Sequence, residues 1–353
     1  MLRLYYNGAL SVFFASCLLA GVNCDADLDD SFNIDYVDGI VNSNATSSTA
    51  ENGDDIIPKE LPVTKKTSIE TSQTNVDNST PNYFPQFKDT MEETGCGFGY
   101  PSGLSMYAEV INASDVQFGE FSWTVKIHYD EGFIGTGTLI APDIVLTAAS
   151  LLRGLKRENL MIRAGEWDIG SVTEAFPHQD RSVKLIISHE KFYGVVNNIA
   201  LLVVQMKFLF QPNIRTLCLP SPGTIFDYST CKTTAWRPAT NGRPQQTLFQ
   251  IQPSHKCDQR LPRPYLRQNY TLDESVMCAI DANLQNSAIL NSGASLFCPM
   301  LGTMNRYTQA GIVIGNVNRS ESKTGLFVNL THLMPWIFKQ LGPRQTDLKY
   351  YLP

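Results

Sequence analysis

From Cys96 onward, apolar and polar positions come in short runs: FSWTVKIHY, GTLIAPDIVLTA, SVKLIIS, IALLVVQM, QAGIVIGN and GLFVNL. Each is rich in β-branched and aromatic residues, and Pro, Gly, Asn and Asp turns separate them. Many such strands at close spacing, with few helical patterns, predict an all-β sandwich or barrel. One helical pattern closes the series, from Leu333 to Leu341, with Gly342 and Pro343 placed to stop it.

The residues before Cys96 read differently. Arg3 precedes an apolar run from Ala9 to Val22 that is too short to span a bilayer, which predicts a signal peptide over residues 1–24, with cleavage on either side of Val22 to Cys24. From Asp25 to Gly95, the acids Asp27, Asp29, Asp30, Asp54 and Asp55 stand among Ser, Thr and Asn with few large apolar residues. Burial there cannot offset the entropy of ordering. The composition predicts a disordered, mobile acidic arm, serving as a solvated spacer or, alternatively, as a docking tail.

The chain has 353 residues, of which 43% are hydrophobic, enough to bury one large core or two smaller ones. Its net charge of -6 argues against nucleic acid as a partner, because phosphate binding needs clustered Lys and Arg. No stretch after the first reaches membrane-spanning length. Sequons at Asn44, Asn78, Asn112, Asn269, Asn318 and Asn329 fit a secreted, extracellular glycoprotein.

The segments FGEFSWTV, GTLIAPDIVLTAAS, RAGEWD, PHQDR, NNIALL, IRTLCLP, GASLFCP and GLFVNLTHLMPWI follow one another along the chain. In that order and at those spacings, Cys96 to Gly342 resembles the chymotrypsin-like (S1) serine proteases. The likeness is to the non-catalytic homologues found beside arthropod clip-domain proteases, such as prophenoloxidase-activating factor-like proteins. The resemblance implies two six-stranded Greek-key β-barrels with a cleft between them and a C-terminal helix, leaving residues 343–353 as a tail.

Cysteine usage fits that register. Of 8 cysteines, Cys17 and Cys24 belong to the signal segment, leaving six for a compartment where disulfides are the default. The family pattern implies the pairs Cys96–Cys218, Cys231–Cys298 and Cys257–Cys278. Two further family bridges are missing in both halves. Gly135 and Leu151 stand at one pair of positions; at the other, Ala288 has no cysteine beyond Cys298 to meet. Losing both partners leaves no oxidisable thiol behind.

The stretch ILNSGASLFCP, Ile289 to Pro299, resembles a worn copy of the loop GDSGGPLxC, with Ser292 at the nucleophile position. A serine hydroxyl needs a general base and oxyanion donors before it can react. The base motif TAAHC reads TAASL here, placing Ser150 at the histidine; the orienting aspartate of NDIALL is Asn198. A hydroxyl does not accept a proton usefully near pH 7, and an amide neither fixes a tautomer nor stabilises imidazolium. His128, His178, His189, His255 and His332 lie outside the motif positions.

The supporting positions have changed as well. Leu290 replaces the glycine that aims a backbone N–H into the oxyanion hole, where a side chain makes positive φ costly. Asn291 replaces the aspartate that forms an ion pair with a newly cut N-terminus. The pocket floor is Asn286 and the wall SWG reads Ile314, Gly315 and Asn316, so trypsin-like specificity is not encoded. Val110–Ala113 occupies the activation segment, but Glu109 before it offers a trypsin-like activator no bond, and Asn112 starts a sequon there. A zymogen-like state is expected.

With degenerate triad positions Ser150, Asn198 and Ser292, the reading is of a secreted, catalytically inactive protease homologue with no cofactor. No metal is expected, since no ligand cluster with zinc or calcium spacing is visible. The resemblance implies a regulator or cofactor that binds extracellular proteins, among them proteases, zymogens or inhibitors, in a protease or immune cascade. Loops held on a rigid scaffold suit recognition. Residues 25–95 depart from the family pattern: they contain no cysteine, whereas clip modules carry three disulfides. Two alternatives stay open: an adhesive, cuticular or reproductive-fluid binding role, and residual esterase or endopeptidase activity through Ser292.

Overall fold

The computed structural model describes residues 95–104, 114–170, 174–236, 242–261, 271–282, 290–319 and 322–353. The signal segment, the acidic arm up to residue 94, Glu109 to Ala113, Asn286, Ala288 and the sequons at Asn44, Asn78, Asn112 and Asn269 lie outside them.

Two closed antiparallel barrels account for the strands. The first is built from β1 (Thr124–Tyr129), β2 (Gly132–Ala141), β3 (Ile144–Thr147), β4 (Leu160–Ala164), β5 (Gln179–Ser188) and β6 (Ala200–Val204), ordered β1-β2-β3-β6-β5-β4. The second contains β7 (Thr230–Trp236), β8 (Pro244–Gln252), β9 (Val276–Asp281), β10 (Ser295–Pro299), β11 (Tyr307–Arg319) and β12 (Ser322–Asn329), ordered β10-β11-β12-β9-β8-β7.

Strand patterning follows from what each face covers. β4 alternates, with Leu160, Ile162 and Ala164 turned into the first barrel. β3 is buried along its whole length because both its faces are covered: Val145 packs inside the barrel, Ile144 and Leu146 in the seam between barrels. β6 is divided the same way, with Leu202 inside and Leu201 in the seam. The seam cluster also takes in Ile312, Ile314, Leu326 and Val328 from the second barrel. Fully burying each such side chain contributes roughly 2 kcal/mol.

Two helices accompany the barrels among the described residues. The C-terminal one, α2 (Leu330–Leu341), begins three residues earlier than its sequence pattern suggested, because Leu330 is itself buried in the seam cluster. It buries Leu333, Trp336 and Ile337, and the Trp336 indole donates to Glu190 Oε2 at 2.7 Å. The shorter α1 (Ser254–Arg260) was not anticipated; it carries the buried Cys257.

The disulfides are Cys96–Cys218, Cys231–Cys298 and Cys257–Cys278. Residues 343–353, set apart as a tail by the sequence, fold back instead. Tyr351 is 3% exposed, and its carbonyl accepts from Leu219 N–H at 2.7 Å. The Cys96 sulfur lies 3.2 Å from the Leu352 carbonyl oxygen.

Candidate functional site

After β3 the chain turns through a 3-10 segment, Ala149–Leu152, pinned by the buried Ala149 and Leu152, and this holds Ser150 at the surface. Asn198 precedes β6 and is 2% exposed. Its neighbour Asn197 takes a left-handed turn, φ 51°, and donates its backbone N–H to Ser275 Oγ at 2.9 Å. That turn directs Asn198 at Ser150. Asn198 Oδ1 accepts the Ser150 backbone N–H at 2.7 Å, and Asn198 Nδ2 donates to Ser150 Oγ at 2.9 Å. Ser150 and Asn198 are thus closed on each other by two hydrogen bonds.

Ser292 stands in the turn before β10, 6% exposed, with its carbonyl accepting from Thr136 N–H at 3.0 Å. Its hydroxyl makes no hydrogen bond among the described residues. The next residue, Gly293, has φ 83°, and a Cβ there would collide with Thr136 O and Thr147 Oγ1. Leu290 has no positive φ; it is 3% exposed and packs in the second-barrel core with Phe249, Met277 and Phe327. Leu290 serves as an apolar anchor for the turn. Asn291 Oδ1 accepts from Trp236 N–H at 2.8 Å, while its Nδ2 donates to Trp236 O at 3.4 Å. An aspartate could make only the first of these bonds.

The two sides meet at Gly135. A Cβ on it would lie 2.7 Å from Ser292 O and 2.8 Å from the Leu151 methyls. Leu151 therefore fills the space beside Gly135 by packing. None of the five histidines hydrogen-bonds to Ser150, Asn198 or Ser292 among the described residues. His128 faces the Glu131 carbonyl, His178 lies by Glu166, His189 packs on Trp336, His332 lies by Glu274, and His255 is exposed on α1. On the pocket wall, Ile314 is 7% exposed in the seam, Gly315 pairs with Leu326, and Asn316 is half-buried. The described wall offers an amide and an alkyl group, with no carboxylate for a Lys or Arg substrate.

Sequence reasoning missed two groupings, one assembled within the β4–β5 loop and one across strands. Glu166, Glu174 and His178 bring ligand-type atoms within 4.8 Å of one another, a grouping that sequence spacing did not indicate. Spacing concealed it because a loop folds Glu174 back toward Trp167 and Asp168, whose N–H groups donate to its Oε1 at 3.2 and 2.8 Å. Glu166 Oε2 already meets Arg163 at 3.2 Å and His178 at 3.4 Å. Secondly, Lys126 on β1 is 2% exposed, with Nζ between the Phe133 and Trp236 rings at 5.2 and 5.6 Å. Burial holds its pKa below the usual lysine value, with nearby Glu166 opposing the shift. Of the sequons within the described residues, Asn329 is half-buried and donates its amide to Glu274 O at 2.9 Å.

Known proteins resemble this chain in sequence. Phenoloxidase-activating factor 2 of Galleria mellonella is 29% identical over 284 residues, covering 74% of this chain and 93% of that protein. Inactive CLIP domain-containing serine protease A8 of Anopheles gambiae is 30% identical over 262 residues, 69% of this chain and 71% of that protein. Inactive CLIP domain-containing serine protease A28 of the same species is 31% identical over 257 residues, 69% and 66% of the two chains. The trypsin pattern itself matches residues 110–337, which is more than half the chain. Together with the paired six-stranded barrels, that match establishes that the chain belongs to the trypsin family.

Proposed function

We propose that this trypsin-family chain is a secreted, catalytically inactive regulator that binds proteins of an extracellular protease cascade. The observation that carries the proposal is the Ser150–Asn198 pair. A general base must be free to take a proton from Ser292, and here the base position is a hydroxyl engaged by the amide at the orienting position. Around it the defects are layered: Leu290 is drawn into the core and Asn291 is committed to the Trp236 backbone. Catalytic groups act as a unit, and loss of the base alone typically costs about a million-fold in turnover. The cascade part of the reading draws on the relatives, one named a phenoloxidase-activating factor and two named inactive.

A fluorophosphonate that labels activated serines tests the proposal. The wild type should resist it, and so should the double variant Ser150→His, Asn198→Asp, since Leu290 and Asn291 remain. Stoichiometric labelling of the wild type that disappears in Ser292→Ala would promote the hydrolase alternative. Secretion is checked separately: insect-cell culture medium should contain the protein with a new N-terminus between Val22 and Asp25.

A further inference from the structure

The whole-chain charge hides a division. Residues 25–94 carry 15 Asp and Glu against 4 Lys, whereas residues 95–353 carry 23 Lys and Arg against 19 Asp and Glu. The barrels are cationic, and the segment ahead of them is strongly anionic.

On the first barrel the positive charge gathers in one strip. Lys156 and Arg157 precede β4, Arg181 and Lys184 lie on β5, and Lys207 follows β6. Hydrogen bonds bind these elements side by side. Arg157 donates to Lys184 O at 2.7 Å, Arg181 to Lys207 O at 3.2 Å, and Gln205 N–H to Ser182 O at 2.9 Å. A groove of about 350 Å³ runs between them, lined by Arg157, Glu158, Val183, Lys184 and Gln205. Lys156, Lys184 and Lys207 are exposed and form no ion pair among the described residues. The acids nearby are already engaged, Glu158 with Arg157 and Asp180 with Arg163. The strip is also greasy: Leu185 is 41% exposed, Met206 and Leu209 each 67%.

We propose that residues 35–60 of this same chain dock across that strip in cis. The segment has the complementary chemistry. DYVDGIV (35–41) and ENGDDIIPKE (51–60) interleave carboxylates with Tyr, Val and Ile, matching lysines interleaved with Leu and Met. Reach is sufficient. Thirty-four residues separate Glu60 from Gly95, a tether of about 30 Å on average and over ~100 Å when stretched. Gly95 lies near Arg306 and Lys349. A tether of this kind gives an effective concentration of about millimolar order, so a modest attraction suffices. An acidic segment on a partner protein would compete with residues 35–60 for the strip. The inference does not depend on whether Ser292 is inert.

Zero-length carbodiimide cross-linking of the full-length protein, mapped by mass spectrometry, tests it. Amide links should join carboxylates of residues 35–60 to Lys184 or Lys207, within monomers and independent of protein concentration. Raising salt to 1 M shortens the screening length to about 3 Å and should cut the yield about ten-fold. The variant Lys156→Glu, Arg157→Glu should do likewise while leaving both reporter lysines in place. Asp54→Asn, Asp55→Asn alters only the segment and leaves the barrel untouched; it should also lower the yield. The proposal is overturned by absence of these links, by equal linking to Lys191 or Lys339, or by yields unchanged in either variant. Links that vanish on dilution would also overturn it, as they would show a second copy as the occupant.

Discussion

The two barrels follow one plan but are held by different means. The second is crossed by Cys231–Cys298 and tied to α1 by Cys257–Cys278. The first, residues 124–204, contains no cysteine, and at the bridge position Leu151 packs on Gly135. A disulfide acts mainly by restricting the unfolded chain, whereas packing acts only in the folded one. The second barrel should therefore answer to reducing agents and the first to changes of volume.

The largest expected effect is on the covalent side. Cys231→Ala, Cys298→Ala opens a loop of 67 residues, which chain entropy values at about 4 kcal/mol. Chemical denaturation should show the loss, with faster hydrogen exchange in β7 and β10 and little change in β1. Equal acceleration in both barrels would erase the distinction. Next comes Gly135→Ala, whose methyl would press on Ser292 O and Leu151 and cost about 2–3 kcal/mol. Leu151→Ala, at a half-buried site, should cost roughly 1–2 kcal/mol. The double variant should cost less than the sum, because shortening Leu151 makes room for the new methyl. Strict additivity would mean that the two side chains do not share this space.

A smaller effect is set by pH. Burial is the main cause that depresses His128, which is 8% exposed, below its ordinary value of 6.5; Lys126 and Arg163 add to it, and the Glu131 carbonyl and Asp180 oppose it. His189, against Trp336, is also lowered, again chiefly by burial. Below pH 6.5 the unfolded chain takes up protons that the folded one refuses, so stability falls as acid is added. Both residues belong to the first barrel, while His255 and His332 are exposed on the helices of the second half. Once the slowing of intrinsic exchange by acid is divided out, protection of β1 amides should fall between pH 7.5 and 5.5 before that of β9 amides does. The smallest effect belongs to Ser292→Ala, within about 0.5 kcal/mol by thermal melting, since its hydroxyl has no partner to lose among the described residues.

The barrels were legible in the sequence because runs such as GTLIAPDIVLTA and GLFVNL carry their period locally, and the motif positions stand at fixed offsets from them. Ser150, Asn198 and Ser292 could be named in this way. Their bonding could not. The Ser150–Asn198 pair spans 48 residues, and its closure depends on the left-handed turn at Asn197. Leu290 looked like damage to a glycine and proves to be a core residue, because only the folded barrel shows which side chains it touches. α1 escaped notice since seven residues opening after a proline, with one buried side chain, display no amphipathic period. The Glu166–Glu174–His178 group was hidden for a similar reason, since only the folded loop turns Glu174 and His178 back toward Glu166.

The return of the last residues to Cys96 has a practical side. Gly95 lies against the Lys349 carbonyl, and Leu352 against the Cys96 sulfur. Handles attached at either end of this segment leave the molecule from one pole. A sensor chip coupled through one end or the other would present nearly the same face to solution. The two points could also be joined by a short peptide and the chain reopened at an exposed turn, such as Leu301 to Met304 between β10 and β11, giving a permuted protein with the same barrels.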